Sequence, residues 1–475
     1  MKYKLILQGS NDVKQVMMYD PMTSEVFWEE TGERPSLEHI GKDAVYKIEE
    51  QNWIAAKVTN PKDPELHGRK TKKVSTLKIT MGLKCNFACS YCNQAHQPHD
   101  PVGGPEDAEA LIQSIKKNLT VDPIDPIRIE FWGGEPFVYW KTLKPLAEKV
   151  RRAYPMATFN IITNGSLLDR HKVDWLYRMN FNVGISHDGP LHAQNRGPDP
   201  LDDLTMRDGI IYALKKLGPN RVGFNSVLTK ENVSLVAVKQ FISKKLNGAI
   251  PDDHIIVNTE ELLLPYDASG LTHSISNSDE AKEAIHSVFW ETITGANYFS
   301  NTVTQKVKNF FSSISEQRPA KILGQKCGMD REDILAIDMK GNATTCQNTS
   351  SLTKHNIGNI EDVDAIRLHT SHHWSTREEC PNCPVLQLCM GSCLFLEDDL
   401  WKAGCENMFT WNLALLAAAL FIMTDGLVLV EIQGQKIRYD DVTSVPVIDI
   451  EFVKSNGTKK SWKVRKPVGI PVVAA

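Results

Sequence analysis

Residues 77–96, LKITMGLKCNFACSYCNQAH, hold three cysteines directly after a β-rich run. Cys85, Cys89 and Cys92 have the spacing C-x3-C-x2-C, and no fourth cysteine lies nearby. Three thiolates this close can bind three corners of a 4Fe–4S cube, which leaves one iron open to another ligand. Zinc is the alternative for this spacing, but structural zinc prefers four closed ligands. The stretch therefore predicts an iron–sulfur cluster with one open iron.

From Val74 onward, β-rich runs alternate with helical stretches. Each helical stretch, such as PEDAEALIQSIKKNL, has apolar residues at helical spacing and acidic residues near its start. We expect six strands, at residues 74–80, 127–133, 158–164, 182–188, 221–228 and 254–263. Six β/α units in a row predict an α/β protein with a partial, TIM-like (β/α)6 barrel, whose reactive groups lie on the loops after the strands.

The bulk composition excludes several classes of protein. With 475 residues, the chain is long enough for two or three domains. Hydrophobic residues make up 41% and charged residues 24%, which disfavours disorder and the membrane class. The formal charge of -4 gives no reason to expect a nucleic acid partner. The longest apolar stretch, residues 413–423, is shorter than the ~20 residues of a membrane helix, so we expect a buried helix there and no membrane contact.

Ten cysteines occur in a chain that has no recognisable export signal. Its start, MKYKLILQGSNDVK, lacks a sustained apolar core and a small-residue cleavage site. Because the cytosol keeps thiols reduced, these cysteines favour metal or catalytic use over disulfides. We therefore expect a cytoplasmic protein.

The pattern divides the chain into five segments. The first contains two or three strands (YKLILQG, KQVMMYD, EVFWEE) and a helix from Ser36, and GRKTKK at 68–73 is interpreted as a solvated linker. The last is expected to be strand-rich, with a hairpin at Asn456-Gly457, and to pack on the cysteine-rich domain. The predicted segments are an N-terminal module (1–73), the barrel (74–300), a helical linker (301–326), the cysteine-rich domain (327–410) and a C-terminal helix with a β-rich extension (411–475).

The first cysteine loop resembles that of the radical S-adenosylmethionine (SAM) superfamily, in which C-x3-C-x2-C follows the first strand of a partial barrel. An aromatic residue typically precedes the third cysteine, and Tyr91 occupies that position. The resemblance implies that SAM binds the open iron and is cleaved reductively to a 5′-deoxyadenosyl radical, which takes a hydrogen atom from the substrate. It also implies an electron donor such as flavodoxin or ferredoxin.

Motifs after the next three strands resemble the SAM-binding motifs of that superfamily. Each alone is also an ordinary turn sequence, so their order after successive strands is the specific signal. Glycines let a backbone approach a ligand closely, and a carboxylate offers charge to an ammonium group. The residues expected to bind SAM, besides Tyr91, are Gly133, Gly134, Glu135 and Pro136 of GGEP, Asn164 and Ser166 of TNGS, Asp188 of SHDGP, and Arg196.

The other seven cysteines follow the pattern C-x13-G-x4-C, a gap, C-x2-C-x5-C-x3-C, a gap and C, with Gly341 as the glycine. This pattern resembles the SPASM domain of radical SAM enzymes that modify peptides and proteins; two zinc ribbons are the alternative. The resemblance implies two auxiliary [4Fe–4S] clusters, and thus three clusters in the chain. We expect the nearer one to have an open or non-cysteine fourth ligand. The implied ligands are Cys380, Cys383, Cys389 and Cys405 for the distal cluster, and Cys327, Cys346 and Cys393 for the nearer one.

These assignments use all ten cysteines, so no thiol remains to donate a hydrogen atom, which disfavours epimerisation. Gln347 stands where sulfatase-maturing enzymes carry an Asp, which disfavours formylglycine formation. We expect oxidative crosslinking (thioether or C–C), or another radical modification or cleavage, of a ribosomally made peptide, with the catalytic acid or base unassigned. A small-molecule substrate and a non-catalytic electron carrier stay open. The N-terminal module could bind a peptide by strand addition or cap the barrel.

Overall fold

The computed structural model describes residues 2–37, 40, 68–95, 97–98, 104–121 and 126–456. The strands are β1 (Tyr3–Gln8), β2 (Lys14–Asp20), β3 (Glu25–Trp28), β4 (Thr76–Thr80), β5 (Arg128–Trp132), β6 (Thr158–Thr163), β7 (Phe181–Ser186), β8 (Val222–Leu228), β9 (Val257–Leu262), β10 (Ile334–Asp338), β11 (Asn342–Thr344), β12 (Asn356–Asn359), β13 (Val428–Gln433) and β14 (Ser444–Pro446). The helices are α1 (Pro105–Asn118), α2 (Trp140–Ala153), α3 (Arg170–Arg178), α4 (His192–Asn195), α5 (Leu204–Leu217), α6 (Leu235–Leu246), α7 (Ala268–Thr272), α8 (Ser278–Ile293), α9 (Asn301–Ser315), α10 (Leu386–Cys389), α11 (Asp398–Met423) and α12 (Ile450–Asn456).

Six adjacent parallel strands, β4 to β9, form the barrel wall. All six lie where the sequence predicts them, with ends that differ by at most three residues. Alternate apolar residues of these strands are buried, and Phe131, Phe159 and Phe181 contact one another across β5, β6 and β7. The predicted partial barrel is therefore confirmed. Parallel pairing brings the C-terminal ends of the six strands, and the loops that follow them, to one edge of the sheet.

The barrel sheet continues into the cysteine-rich segment, which the sequence did not indicate. Strand β10 pairs parallel to β4, with Leu335 opposite Leu77 and Ile337 opposite Ile79, and β11 and β12 extend the sheet in antiparallel order. These four side chains are buried almost completely. The pairing covers the free edge of β4, and it fixes the cysteine-rich segment against the first cysteine loop.

The two ends of the described chain form one sheet with the order β14-β13-β1-β2-β3. The three N-terminal strands are confirmed, but β13 pairs with β1 rather than packing only on the cysteine-rich domain. Asn456 ends helix α12, so the strand hairpin expected at Asn456-Gly457 is wrong at that residue. The helix expected from Ser36 falls mostly on residues outside the described ranges.

The apolar stretch at 413–423 belongs to α11, and every one of its residues is buried. Among the described residues, α11 is long and apolar enough to cross a membrane. However, 89% of its most apolar 18-residue stretch is buried inside the protein, as in the core helix of a folded domain. It contacts α8, α9, β9 and β13, as a core helix does. The expected buried helix is confirmed.

The charged run at 68–73 is not a solvated linker throughout. Lys70 is only 1% exposed, and its ammonium donates to the main-chain oxygens of Met329 at 2.5 Å and Arg331 at 2.8 Å. The linker interpretation is therefore wrong at Lys70, because carbonyl groups just after Cys327 replace the water that its charge would lose.

Leu5 and Ile432 are fully buried partners in the pairing of β1 with β13. We expect Leu5→Ala and Ile432→Ala each to lower the free energy of unfolding by about 2–5 kcal/mol, because each leaves a cavity. The double variant should cost less than the sum, since the two residues share that cavity. Denaturant unfolding followed by circular dichroism measures this, with the half-buried Val430→Ala as control. Strictly additive costs would contradict the packing of these strands.

Candidate functional site

The loop after β4 holds Cys85, Cys89 and Cys92 beside one another. The Phe87 N–H donates to Cys85 Sγ at 3.3 Å, and the Gln94 N–H donates to Cys92 Sγ at 3.4 Å. Burial raises the pKa of Cys89 to about 11, and repulsion from the other two thiols adds to this despite the opposing charge of Arg196. Cys89 is therefore protonated when free, and metal ligation would have to release its proton.

A pocket lies in front of these cysteines, at the C-terminal ends of the barrel strands. Its wall includes Trp132 at the end of β5, Ser186 at the end of β7 and Leu262 at the end of β9. Five of the residues expected to bind SAM also line it: Tyr91, Gly133, Gly134, Asn164 and Arg196. The strand ends thus bring together residues that lie far apart in the sequence.

Two glycines of GGEP allow the backbone after β5 to contact the cysteine loop. A Cβ added to Gly133 would lie 2.4 Å from the main-chain oxygen of Gly82, and one added to Gly134 would lie 2.4 Å from that of Lys84. Gly133 also has a φ of 154°, which favours glycine. These positions need glycine because the loop and the turn share the wall of the pocket.

Glu135 supports the pocket from behind. Its carboxylate accepts from the Phe137 N–H at 3.0 Å, the Thr163 hydroxyl at 2.8 Å and the Asn164 N–H at 2.7 Å. Burial nevertheless raises its pKa to about 7. Its neighbour Pro136 is also buried and begins a short helical turn. The carboxylate therefore holds the turn after β6, and the backbone of the two glycines faces the pocket.

Tyr91, Asp188 and Arg196 form one buried cluster. The Tyr91 hydroxyl and the Arg196 Nε both donate to Asp188 Oδ2, the latter at 2.9 Å, and the Val227 N–H donates to Asp188 Oδ1 at 3.1 Å. The positive charge of Arg196 thus lies against Tyr91 and near Cys89. Asp188 acts on the pocket through Arg196 and does not line it.

Ser166 ties the cysteine loop to the turn after β6. Its hydroxyl accepts from the Asn86 side chain at 2.8 Å and donates to Asn164 Oδ1 at 2.6 Å. The Asn164 side chain in turn donates to Asn86 Oδ1 at 2.9 Å. Ser166 itself lies beside the pocket rather than in its wall, so we assign it to positioning the loop.

The seven remaining cysteines lie in two groups, which correspond to the expected ligand sets. Cys380, Cys383, Cys389 and Cys405 line one cavity, the four-cysteine group. Burial raises the pKa of Cys380, and the charges of the other three thiols raise it further. In the three-cysteine group, burial raises the pKa of Cys346, and Cys393 and Cys327 add to the effect. Ligation by these groups stays a prediction.

The two cysteine groups can be compared with the geometry that a single metal ion needs. Within the described ranges, no set of three or more Cys, His, Asp or Glu side chains is arranged to hold a single metal ion. A zinc ion needs its sulfurs about 2.3 Å from one point, whereas four thiols around a cavity suit a larger cube. The choice between clusters and zinc stays a prediction.

The end of β9 supplies pocket residues that the sequence analysis missed. Glu261 is buried with φ 84°, where the register of β8 and β9 shifts, and its carboxylate binds Lys306 at 2.5 Å and Lys326 at 3.0 Å. Such bulges re-aim side chains near active sites. The adjacent acids of EEL near the end of the sixth predicted strand were the available signal.

Tyr266 and Asn348 connect the pocket with the three-cysteine group. Both line the pocket. The Asn348 N–H donates to Cys346 Sγ at 3.3 Å, and Tyr266 stacks on Phe395 with ring centroids 5.6 Å apart. Burial raises the pKa of the Tyr266 hydroxyl, and the charges of Cys393 and Cys346 raise it further. A molecule in the pocket therefore has the first cysteine loop on one side and the three-cysteine group on another.

The Gly134 contact can be tested by substitution. We expect Gly134→Ala to weaken SAM binding at least tenfold, because the loop at Lys84 must move to admit the methyl group. Equilibrium dialysis with labelled SAM measures this. Gly223→Ala in β8, where the nearest atom would be 3.3 Å away, is the control and should bind as wild type does. Equal affinities for the two variants would contradict the shared wall.

Glu135 predicts a dependence of stability on pH. Its folded pKa of about 7 lies above the usual unfolded value of about 4.3, so its favourable contribution is complete below that lower value and is lost as the pH rises through 7. We expect wild type to lose more thermal stability between pH 5 and 8 than Glu135→Gln. Calorimetry of both proteins across this range measures the difference, and parallel curves would contradict it.

Known proteins resemble this chain in sequence and fold. A family model for the radical SAM superfamily matches residues 79–228. The radical SAM cyclopropyl synthase TigE of Paramaledivibacter caminithermalis is 21% identical over 342 residues, 68% of each chain. A cysteine-type anaerobic sulfatase-maturating enzyme of Clostridium perfringens is 22% identical over 334 residues, 65% of this chain and 85% of that one.

The solved structure of native anSMEcpe with bound AdoMet has the same fold. It superposes with a TM-score of 0.52 at 18% identity and covers 73% of this chain and 99% of its own. The matched family model spans β4 to β8, including the first cysteine loop and the three motifs after it. The superfamily uses SAM and a [4Fe–4S] cluster. This chain thus carries a radical SAM domain at residues 79–228, and the relatives that it resembles are enzymes.

Proposed function

We propose that the chain is a radical SAM maturase that oxidatively modifies a peptide or protein side chain, with crosslinking as the leading reaction. The observation that carries this proposal is the pocket, which extends from the cysteine loop to Tyr266 and Asn348 beside the three-cysteine group. A substrate there would contact both iron–sulfur sites.

The ten cysteines fit three [4Fe–4S] clusters. The loop after β4 would hold the SAM-binding cluster, which supplies the 5′-deoxyadenosyl radical when reduced with SAM bound. The four-cysteine group would ligate all four irons of the distal auxiliary cluster. The three-cysteine group would ligate three irons of the nearer cluster and leave the fourth without a cysteine ligand. Supporting this count, each group of thiols is brought together by the fold.

The protein side chains and backbone would orient SAM. The backbone of Gly133 and Gly134 allows close approach, and the guanidinium of Arg196 offers charge to a carboxylate. Tyr91 and Asn164 complete this wall. Glu135, Pro136, Ser166 and Asp188 act behind it, by holding the turns and the guanidinium in place.

The relatives support a substrate of peptide or protein class. The Clostridium perfringens relative is a sulfatase-maturating enzyme, and TigE is a cyclopropyl synthase. Gln347 argues against formylglycine formation here, because an amide cannot act as the base that an Asp provides. The open position expected at the three-cysteine group favours a thioether product from a cysteine-containing peptide. The similarity to TigE, a cyclopropyl synthase, instead favours a bond between two carbons.

An electron donor such as flavodoxin or ferredoxin would supply the electron for the first cluster. The expected cytoplasmic location and the expected absence of nucleic acid and membrane partners stay predictions. If the substrate were a small molecule, none of the candidate peptides in the product assay below would be modified. A non-catalytic electron carrier would not cleave SAM at all.

Anaerobic assays of reconstituted protein test the function. We expect about twelve iron atoms per chain and release of 5′-deoxyadenosine with SAM and dithionite. Replacement of Cys85, Cys89 and Cys92 by Ala should remove about one third of the iron and abolish the release. Replacement of Cys383 and Cys389 should remove the distal cluster while SAM cleavage continues. Iron analysis and chromatography measure both quantities, and intact protein that releases no 5′-deoxyadenosine would contradict the proposal.

The product distinguishes the reaction classes. Candidate peptides encoded beside the gene, with and without cysteine, are incubated with the enzyme and SAM and analysed by mass spectrometry. A loss of two hydrogens with a cysteine sulfur bound to carbon supports thioether formation. The same loss from a cysteine-free peptide contradicts that preference and supports a carbon–carbon bond.

A further inference from the structure

Arg438 is a buried arginine that contacts the four-cysteine group. It lies between β13 and β14 and is 4% exposed. Its Nη2 donates to Cys405 Sγ at 3.1 Å, and its side chain lines the same cavity as the four thiols. The C-terminal segment lies after the last cysteine motif, yet it brings a positive charge to Cys405, a predicted cluster ligand.

Several contacts hold Arg438 at this position. Its N–H donates to the Asn382 main-chain oxygen at 2.6 Å, directly before Cys383. The guanidinium binds the two Glu406 oxygens at 2.7 and 3.2 Å and lies 4.4 Å from the Phe409 ring centroid. Arg438 also has a φ of 65°, a left-handed conformation that non-glycine residues rarely adopt. Such strain persists where surrounding contacts hold the residue, often at functional sites.

The Nε of Arg438 points to a missing acceptor. It is buried, and no hydrogen-bond partner for it exists among the described residues. A buried donor without an acceptor costs about 1–3 kcal/mol. Iron–sulfur clusters accept hydrogen bonds through their sulfurs. A cluster in the cavity that Arg438 lines would provide acceptors of this kind.

Two lysines add positive charge near the same group. Lys306 and Lys326 both bind the carboxylate of Glu261, and the charge of Glu260 also acts on Lys326. Burial raises the pKa of Cys389, and both lysines oppose this rise. The four-cysteine group therefore has positive side chains near Cys389 as well as at Cys405, where Glu406 pairs with Arg438 and Glu379 lines the same cavity.

We propose that Arg438 raises the reduction potential of the four-cysteine cluster above the value it would have without the guanidinium. This inference rests on the proposed function, which places a cluster in this group. Reduction adds one electron, and hence one negative charge, to the cluster. A positive charge and a hydrogen bond at a ligating sulfur stabilise the more negative state, and burial strengthens both effects. Arg438 is thus a positioning residue that acts through Cys405.

A redox titration with dithionite, followed by electron paramagnetic resonance, tests the proposal. In Arg438→Gln, the ratio of reduced to oxidised four-cysteine cluster at a fixed potential should fall about tenfold, which equals about 59 mV for one electron. Arg438→Lys keeps the charge and should recover part of the shift. The control Arg170→Gln removes an exposed arginine stacked on Tyr212 and should leave the potential unchanged. An unchanged potential in Arg438→Gln at full iron content overturns the proposal.

A second variant tests the proposal if the Arg438 substitution prevents the four-cysteine cluster from forming. If Arg438→Gln has about one third less iron, Glu406→Gln is measured instead, because it removes a negative charge beside the same guanidinium and should raise the potential. An unchanged or lower potential in Glu406→Gln overturns the proposal. Wild-type protein with fewer than three clusters would overturn the cluster count, and that outcome is visible before any variant is compared.

Discussion

The loop that carries Cys85, Cys89 and Cys92 has no strand or helix of its own, so contacts with neighbouring turns hold it in place. The Gly134 N–H donates to the Gly82 oxygen at 3.0 Å, and the Lys84 N–H donates to the Tyr139 hydroxyl at 2.6 Å. A cluster needs its thiolates at fixed positions. The placement of the three cysteines, the walls of the pocket and the access to SAM all depend on these contacts.

Local patterns in the sequence predicted the parts of the fold that local forces determine. The six barrel strands follow from alternating burial and β-branched residues, and the order of the cysteine loop, GGEP and TNGS follows from the common direction of those strands. The resemblance of the cysteine pattern to the SPASM domain implied which of the C-terminal thiols lie together. For the strands and the motifs after them, the signal lies within one short segment, and parallel pairing brings these segments to one edge of the sheet.

The unpredicted features arise from pairs of segments that are far apart in the sequence. Strand β10 pairs with β4, and β13 with β1, although ILAID and VLVEIQ alone do not reveal their partners. The Glu135 carboxylate accepts from Phe137 in its own turn and also from Thr163 and Asn164 at the end of β6, contacts that the sequence did not indicate. Arg438 could not be found from spacing, because it lies outside the cysteine motifs and contacts Cys405 only in the folded chain. Long-range pairing thus joins the C-terminal segment to the chemistry.

We infer that the fold gathers ten cysteines into three iron–sulfur sites, one of which binds SAM. The most direct measurement is an anaerobic crystal structure of the reconstituted protein with SAM, phased on the anomalous scattering of iron. We predict three separate groups of iron peaks, with SAM bound only at the one held by Cys85, Cys89 and Cys92. Zinc in either C-terminal group, or SAM bound away from the first cysteine loop, would contradict the claim.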